Sequence, residues 1–203
     1  MKEIRIYVEG GGQSNTSRRQ IRLGFNEFLS PIHNLARSHQ IHWEVIPCGP
    51  RESAFKTFKF GLKTHPHAFN ILLVDSEAKV TQSRWEHLRR QDHWQVPDLA
   101  EEHCHFMVCT IEAWLVADPD ALAKFYGKSF NSKVLPAQPD VETVEKETLM
   151  SALNRATERT QKGPYHKINH CSELLKRLDP ARVRARARHC DLLFKTLEAQ
   201  ITG

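Results

Sequence analysis

Acidic side chains close three of the strand-like runs in this chain. Ile4-Arg5-Ile6-Tyr7-Val8 leads into Glu9. Phe69-Asn70-Ile71-Leu72-Leu73-Val74 leads into Asp75-Ser76-Glu77, and a third run, His105 to Ile111, leads into Glu112. Ligands of open α/β sheets gather beyond the carboxyl ends of the strands, so these acids are expected to share one sheet edge. Carboxylates crowded together repel unless a cation compensates. Hard oxygen donors in this number suit Mg²⁺ or Mn²⁺, which also bind phosphate oxygens. The Asp75-Ser76-Glu77 alternation puts both carboxylates on one side if the strand geometry persists. The plainer alternative for each acid is an N-cap or a solvated turn.

Other residues have the chemistry to serve such a site. The Gly10-Gly11-Gly12 turn lets backbone amides approach a phosphate at the following helix N-terminus, although it matches neither GxGxxG nor GxxxxGK[ST]. Lys167 and His170 follow the Gly163-Pro164-Tyr165 turn and are candidates for phosphate contacts. Arg18, Arg19 and Arg22 on the first helix, with Arg184 and Arg188 near the C-terminus, are the candidate nucleic-acid contacts; flanking arginines also simply lie along a packed helix. His103, Cys104, His105 and Cys109 invite a zinc reading, but along a strand Cys104 points away from the histidines and Cys109 lies too far on to converge.

The elements that must position these groups alternate. Strands are predicted at 4–8, 41–46, 69–74 and 105–111, and helices at 51–63, 83–91 and 113–125. The first helix carries Ile21, Leu23, Phe25, Phe28, Leu29, Ile32 and Leu35 at roughly helical spacing, with Pro31 marking a kink or a break into two. After Gly127 a loop over 128–141 precedes helices at about 145–159, 170–178 and 180–201. The pattern predicts an open, mostly parallel sheet flanked by helices, with a C-terminal helical extension: a core over 1–127 and an extension over 128–203. At 203 residues one buried core is expected. The net charge of +5 mildly favours an anionic partner. Five scattered cysteines, no apolar window of membrane-spanning length and no secretory-type start predict a cytoplasmic protein with reduced thiols and no membrane contact.

Tyr7-Val8-Glu9-Gly10-Gly11-Gly12, Leu73-Val74-Asp75-Ser76-Glu77, Ile111-Glu112-Ala113-Trp114-Leu115-Val116-Ala117-Asp118 and Tyr165-x-Lys167 with His170 resemble a TOPRIM-like family, the domain of unknown function DUF4276, found beside ATPases in bacterial defence islands. The resemblance spans nearly the whole chain and implies a TOPRIM-like (Rossmannoid) fold. It implies that Glu9 is a general acid/base or metal ligand and that Asp75 and Glu77 coordinate Mg²⁺. Glu77 stands where most TOPRIM domains have Asp. Gln13 stands near where nucleases of the OLD type carry a further acid, which leaves Glu112 to supply it. The activity expected is Mg²⁺- or Mn²⁺-dependent cleavage of DNA or RNA, with Glu9 and Lys167 as catalytic groups. An ABC- or AAA-type ATPase partner and self-association accompany that reading. The alternative is a non-catalytic scaffold or sensor that binds nucleic acid and docks on an ATPase.

Overall fold

In the computed structural model, which describes every residue except Met1, Gln13 and Pro97, the apolar run Phe69–Asp75 (β3) sits inside a parallel sheet covered on both faces. It pairs with β1 (Glu3–Val8) on one side and β4 (Cys104–Met107) on the other, and β2 (His42–Pro47) completes the order β2-β1-β3-β4. Helices α1 (Asn15–Phe28) and α2 (Ser30–Ser38) connect β1 to β2. Helix α3 (Arg51–Thr64) connects β2 to β3, and α4 (Arg84–Asp92) lies between β3 and β4. The chain therefore leaves β1 on one side and resumes with β3 on the other. The β1/β3 pair is the point of reversal, where such sheets bind ligands.

Side-chain alternation divides the interior in two. Ile4, Ile6, Val8, Ile71 and Leu73 face the larger core, with Phe25 and Phe28 of α1. Tyr7, Leu72 and Val74 face the smaller one, beneath Phe55 and Phe58 of α3 and Leu88 of α4. After β4 come α5 (Glu112–Ala117), α6 (Pro119–Tyr126), α7 (Lys146–Thr157), α8 (Lys167–Leu175), α9 (Pro180–Arg186) and α10 (Arg188–Thr202). Leu149, Leu153, Leu174, Leu175, Phe194 and Leu197 from these helices enter the same core as Ile6 and Leu73. The C-terminal helices thus complete the core rather than build a second one. Among the described residues no helix is long and apolar enough to cross a membrane.

The expected alternation is present, but several boundaries move. Pro31 does divide the first helical run, at Leu29, into α1 and α2. The strand expected over 105–111 ends at Met107: Ser76 N–H still donates to Met107 O and Glu77 N–H to Cys109 O, but the regular ladder stops where Glu77 turns left-handed. The helix expected over 113–125 breaks at Asp118-Pro119. The buried Asp118 carboxylate caps α6 by accepting from Ala121 N–H at 3.3 Å, and it also accepts from Asp179 N–H at 2.9 Å. The helix expected over 180–201 breaks at Ala187, which is extended at φ −131°, ψ 97°. The helix expected from 170 starts at Lys167, capped by the His166 ring.

Helix α1 reaches α8 through Gly24, where an added Cβ would lie 2.9 Å from Ser172 O and 3.2 Å from Leu175 Cβ. Gly24→Ala is expected to force α8 away and to cost about 1–3 kcal/mol, as overpacking does. Urea denaturation of the two proteins checks this; equal midpoints would contradict the close packing.

Candidate active site

Glu9 continues the ladder beyond β1, its N–H donating to Leu73 O at 2.9 Å. Its Oε2 accepts from Asp75 N–H at 3.1 Å. Asp75, the last residue of β3, is 3% exposed. Its Oδ1 accepts from Ile111 N–H at 2.8 Å, and its Oδ2 accepts from Thr110 Oγ1 at 3.0 Å and from Lys167 Nζ at 3.1 Å. The turn that follows β4 is therefore the turn that solvates Asp75.

Strand geometry does not persist to Glu77. This residue is left-handed at φ +62°, which costs a non-glycine residue about 1–2 kcal/mol; strain of this kind gathers at functional sites. Its carboxylate still comes back to the others. One oxygen each from Glu9, Asp75 and Glu77 lie within 4.8 Å of one another, close enough for one cation to bind all three.

Cations and hydroxyls from distant segments surround the acids. Lys167 Nζ lies between Asp75 and Glu112, 3.4 Å from Glu112 Oε2. Glu112 is fully buried and accepts from Tyr165 OH at 2.9 Å; the single hydroxyl proton of Thr110 is shared between Glu112, at 2.5 Å, and Asp75. Glu112 is joined to Asp75 through Thr110 and Lys167 and stands outside the three-carboxylate group. On the other side of the sheet end, Arg51 Nη1 approaches Glu9 Oε2 at 3.4 Å and donates to Asp75 O. Asp92 grips the same guanidinium at 2.7 and 2.8 Å. Lys146 reaches Glu77. Five carboxylates thus face three cations.

Burial and crowding shift the proton affinities of the group. Burial first, and then the neighbouring Asp75, push the Glu9 carboxyl up to about 7, against the opposing pull of Arg51. Burial also raises Asp75, though Lys167 counters it. For Lys167, burial disfavours the ammonium, but Asp75 and Glu112 outweigh it and hold the proton more firmly than usual.

The other candidates separate. Arg18 donates to Gly12 O at 3.4 Å and so lies against the glycine turn, whose Gly10 is bonded in both directions to Gly49. Arg19 is exposed on α1, and Arg22 donates to Val45 O at 3.0 Å. Arg184 is held by Asp191 at 2.9 Å and Glu198 at 3.0 Å. The break at Ala187 puts Arg184 and Arg188 on different helices, so the single arginine-flanked C-terminal helix is corrected. His170 accepts from, or donates to, Tyr126 OH at 3.0 Å and sits among Phe125, Tyr126 and Tyr165. Gln13 lies outside the described residues. His103 is bound to Asn70 O and His105 to Glu102 O, each at its own place along the chain. A cavity of about 220 Å³ opens beside the acids, between the glycine turn, Phe25, Ile111 and Lys167.

Arg51, Asp92, Thr110 and Lys146 were not among the sequence candidates. Arg51 carried a usable signal, since it opens the helix after Pro47-Cys48-Gly49-Pro50 at the ligand-binding end of the sheet. The others have no local signature.

A family model described as a domain of unknown function (DUF4276) matches residues 8–198. No curated protein and no solved structure matches the chain.

The neutral form of Glu9 is favoured in the folded state, so the native protein holds a proton that the unfolded chain, near its ordinary value of 4.5, has released. Stability is therefore lost as pH rises from about 4.5 to about 7. Glu9→Gln should melt above the parent at pH 8 without divalent metal, the gap closing towards pH 4.5. A gap independent of pH would contradict the shift.

Proposed function

The chain belongs to the DUF4276 family, and from the geometry of its acidic cluster we propose that it is a Mg²⁺- or Mn²⁺-dependent TOPRIM-type nuclease. The observation that carries this reading is the meeting of Glu9, Asp75 and Glu77 oxygens within 4.8 Å at the point of reversal of the sheet. The donor set is all carboxylate, hard and over-charged, which fits a divalent cation of this class. A cation held by those three groups would neutralise phosphate oxygens and lower the pKa of a bound water.

The residues of the chain supply the rest. Glu9, whose carboxylate stands against Asp75 N–H at 3.1 Å, is placed to orient the attacking water or take its proton where it is not itself bound to the cation. Lys167, firmly protonated, presents its ammonium beside Asp75 where a phosphate would gather charge. Thr110 and Ile111 N–H keep the Asp75 carboxylate pointed. Arg51 fixes Glu9 from behind, with Asp92 holding the guanidinium in place. DNA or RNA is the substrate class. Five buried free thiols fit a reducing, cytoplasmic setting. Work beside an ATPase in anti-phage defence is part of the same proposal.

A second reading is a non-catalytic scaffold that binds nucleic acid and docks on an ATPase. It is favoured by the protein cations already standing against the acids: Arg51 at Glu9, Lys146 at Glu77 and Lys167 at Asp75.

Metal titration separates the two. If the site binds metal, Mn²⁺ or Mg²⁺ at a hundred times its Kd adds about 2.7 kcal/mol of stability, seen as a higher melting temperature that Asp75→Asn abolishes. Cleavage of single- and double-stranded DNA and RNA should then require metal and vanish in the Glu9→Gln, Asp75→Asn double variant. Cleavage surviving in that variant would sink the assignment of this site.

A further inference from the structure

The outer face of α3 carries features that the carboxylate chemistry does not use. Lys56, Lys59, Phe60 and Lys63 recur there at helical spacing. Phe60 is 65% exposed. A single exposed apolar side chain is ordinary on a protein surface. This one stands among three lysines, opposed on that face by Glu52, which is bound to Lys56 at 2.7 Å.

The helix that bears this face starts at the site, with Arg51 itself on its inner side next to Trp94 and Phe55. Arg51, the first residue of α3, touches Glu9. Its guanidinium lies 5.3 Å from the Trp94 ring centre, Trp94 stacks on Phe55 at 4.2 Å, and the Lys59 ammonium sits 4.5 Å over Phe55. This column ties α3 to the segment after α4 and fixes the cations along it, while Phe60 projects outward. At about 1.5 Å per residue, Lys56 and Lys63 are about 10 Å apart along the axis, and Phe60 is about 13 Å from Arg51.

We infer that the outer face of α3 is a track for a single strand of nucleic acid leading to the acidic cluster. Lys56, Lys59 and Lys63 take phosphates, and Phe60 takes the face of one base. Every base has such a face, so the contact tolerates any sequence; in a duplex those faces are already stacked on neighbouring pairs. The inference depends on the nuclease reading only for what happens where the track ends. Binding along it needs no metal.

The test uses the full chain, labelled single-stranded DNA and RNA oligonucleotides, and EDTA, read by fluorescence anisotropy. Phe60→Ala should weaken binding about tenfold, within the ~1–3 kcal/mol of a base–aromatic stack. Lys56→Gln with Lys63→Gln should flatten the log–log salt dependence by about 1.4, at ~0.7 per phosphate. Because these α3 side chains project outward, melting temperatures should stay unchanged. Failure of the parent to bind, or α3 variants that bind like the parent, would overturn the track. So would Phe60→Ala changing only self-association in sedimentation, which would make this face a contact between copies. Binding that obeys the α3 variants without any cleavage in Mg²⁺ or Mn²⁺ removes the nuclease reading and leaves the track standing. Cleavage that ignores them removes the track alone.

Discussion

Mutual repulsion of the acids at the carboxyl end of the β1/β3 pair is the constraint around which this molecule is arranged. Asp75 is nearly fully buried and Glu9 is close beside it, so each needs donors that the sheet alone cannot provide. The chain answers from two sides. Residues 108–111, just past β4, offer Thr110 and the Ile111 N–H to Asp75. Helix α3 starts with Arg51 and offers its guanidinium to Glu9. Burial first, and then the negative charge of Asp75, holds the Glu9 proton to about 7, and the surplus of carboxylates left after these contacts is of the kind that suits a divalent cation.

The C-terminal helices serve the same constraint. They share one apolar core with β1 and β3, and their packing delivers Tyr165 and Lys167 to Glu112 and Asp75. Glu112 shows how tightly packing and charge are joined here. It is completely buried at the start of α5 and satisfied by the hydroxyl of nearby Thr110 and by a phenol and an ammonium from one distant segment, Tyr165 and Lys167. Removing any one of these would leave a buried carboxylate short of a donor.

Much of this was legible in the sequence. An acid directly after a β-rich apolar run is a strong local signal, and Glu9 and Asp75 both carry it. The alternation of strands and helices was equally plain, and the sheet is parallel as that alternation requires. What escaped was of two kinds. Thr110 and Arg51 matter only because residues 35 and 24 positions away in sequence fold against them, and no local pattern records such a meeting. The break at Ala187 has neither proline nor glycine to announce it, whereas the break at Asp118-Pro119 carried a regular cap-plus-proline signature that the apolar periodicity obscured. Glu77 was placed correctly among the acids for the wrong geometric reason, since its backbone abandons the strand and turns left-handed.

The order in which the ribosome makes these parts adds a temporal dimension. Lys167 follows Asp75 by 92 residues, which at about 5–20 residues per second is roughly 5–18 s of synthesis. Through that interval Glu9 and Asp75 have been made while β4 and then the helices that cover the sheet are still being added, and the ammonium that pairs with Asp75 comes last. A nascent chain arrested before α8 would carry the acids but not their finished surroundings, so the cleft is assembled only once α8 has emerged.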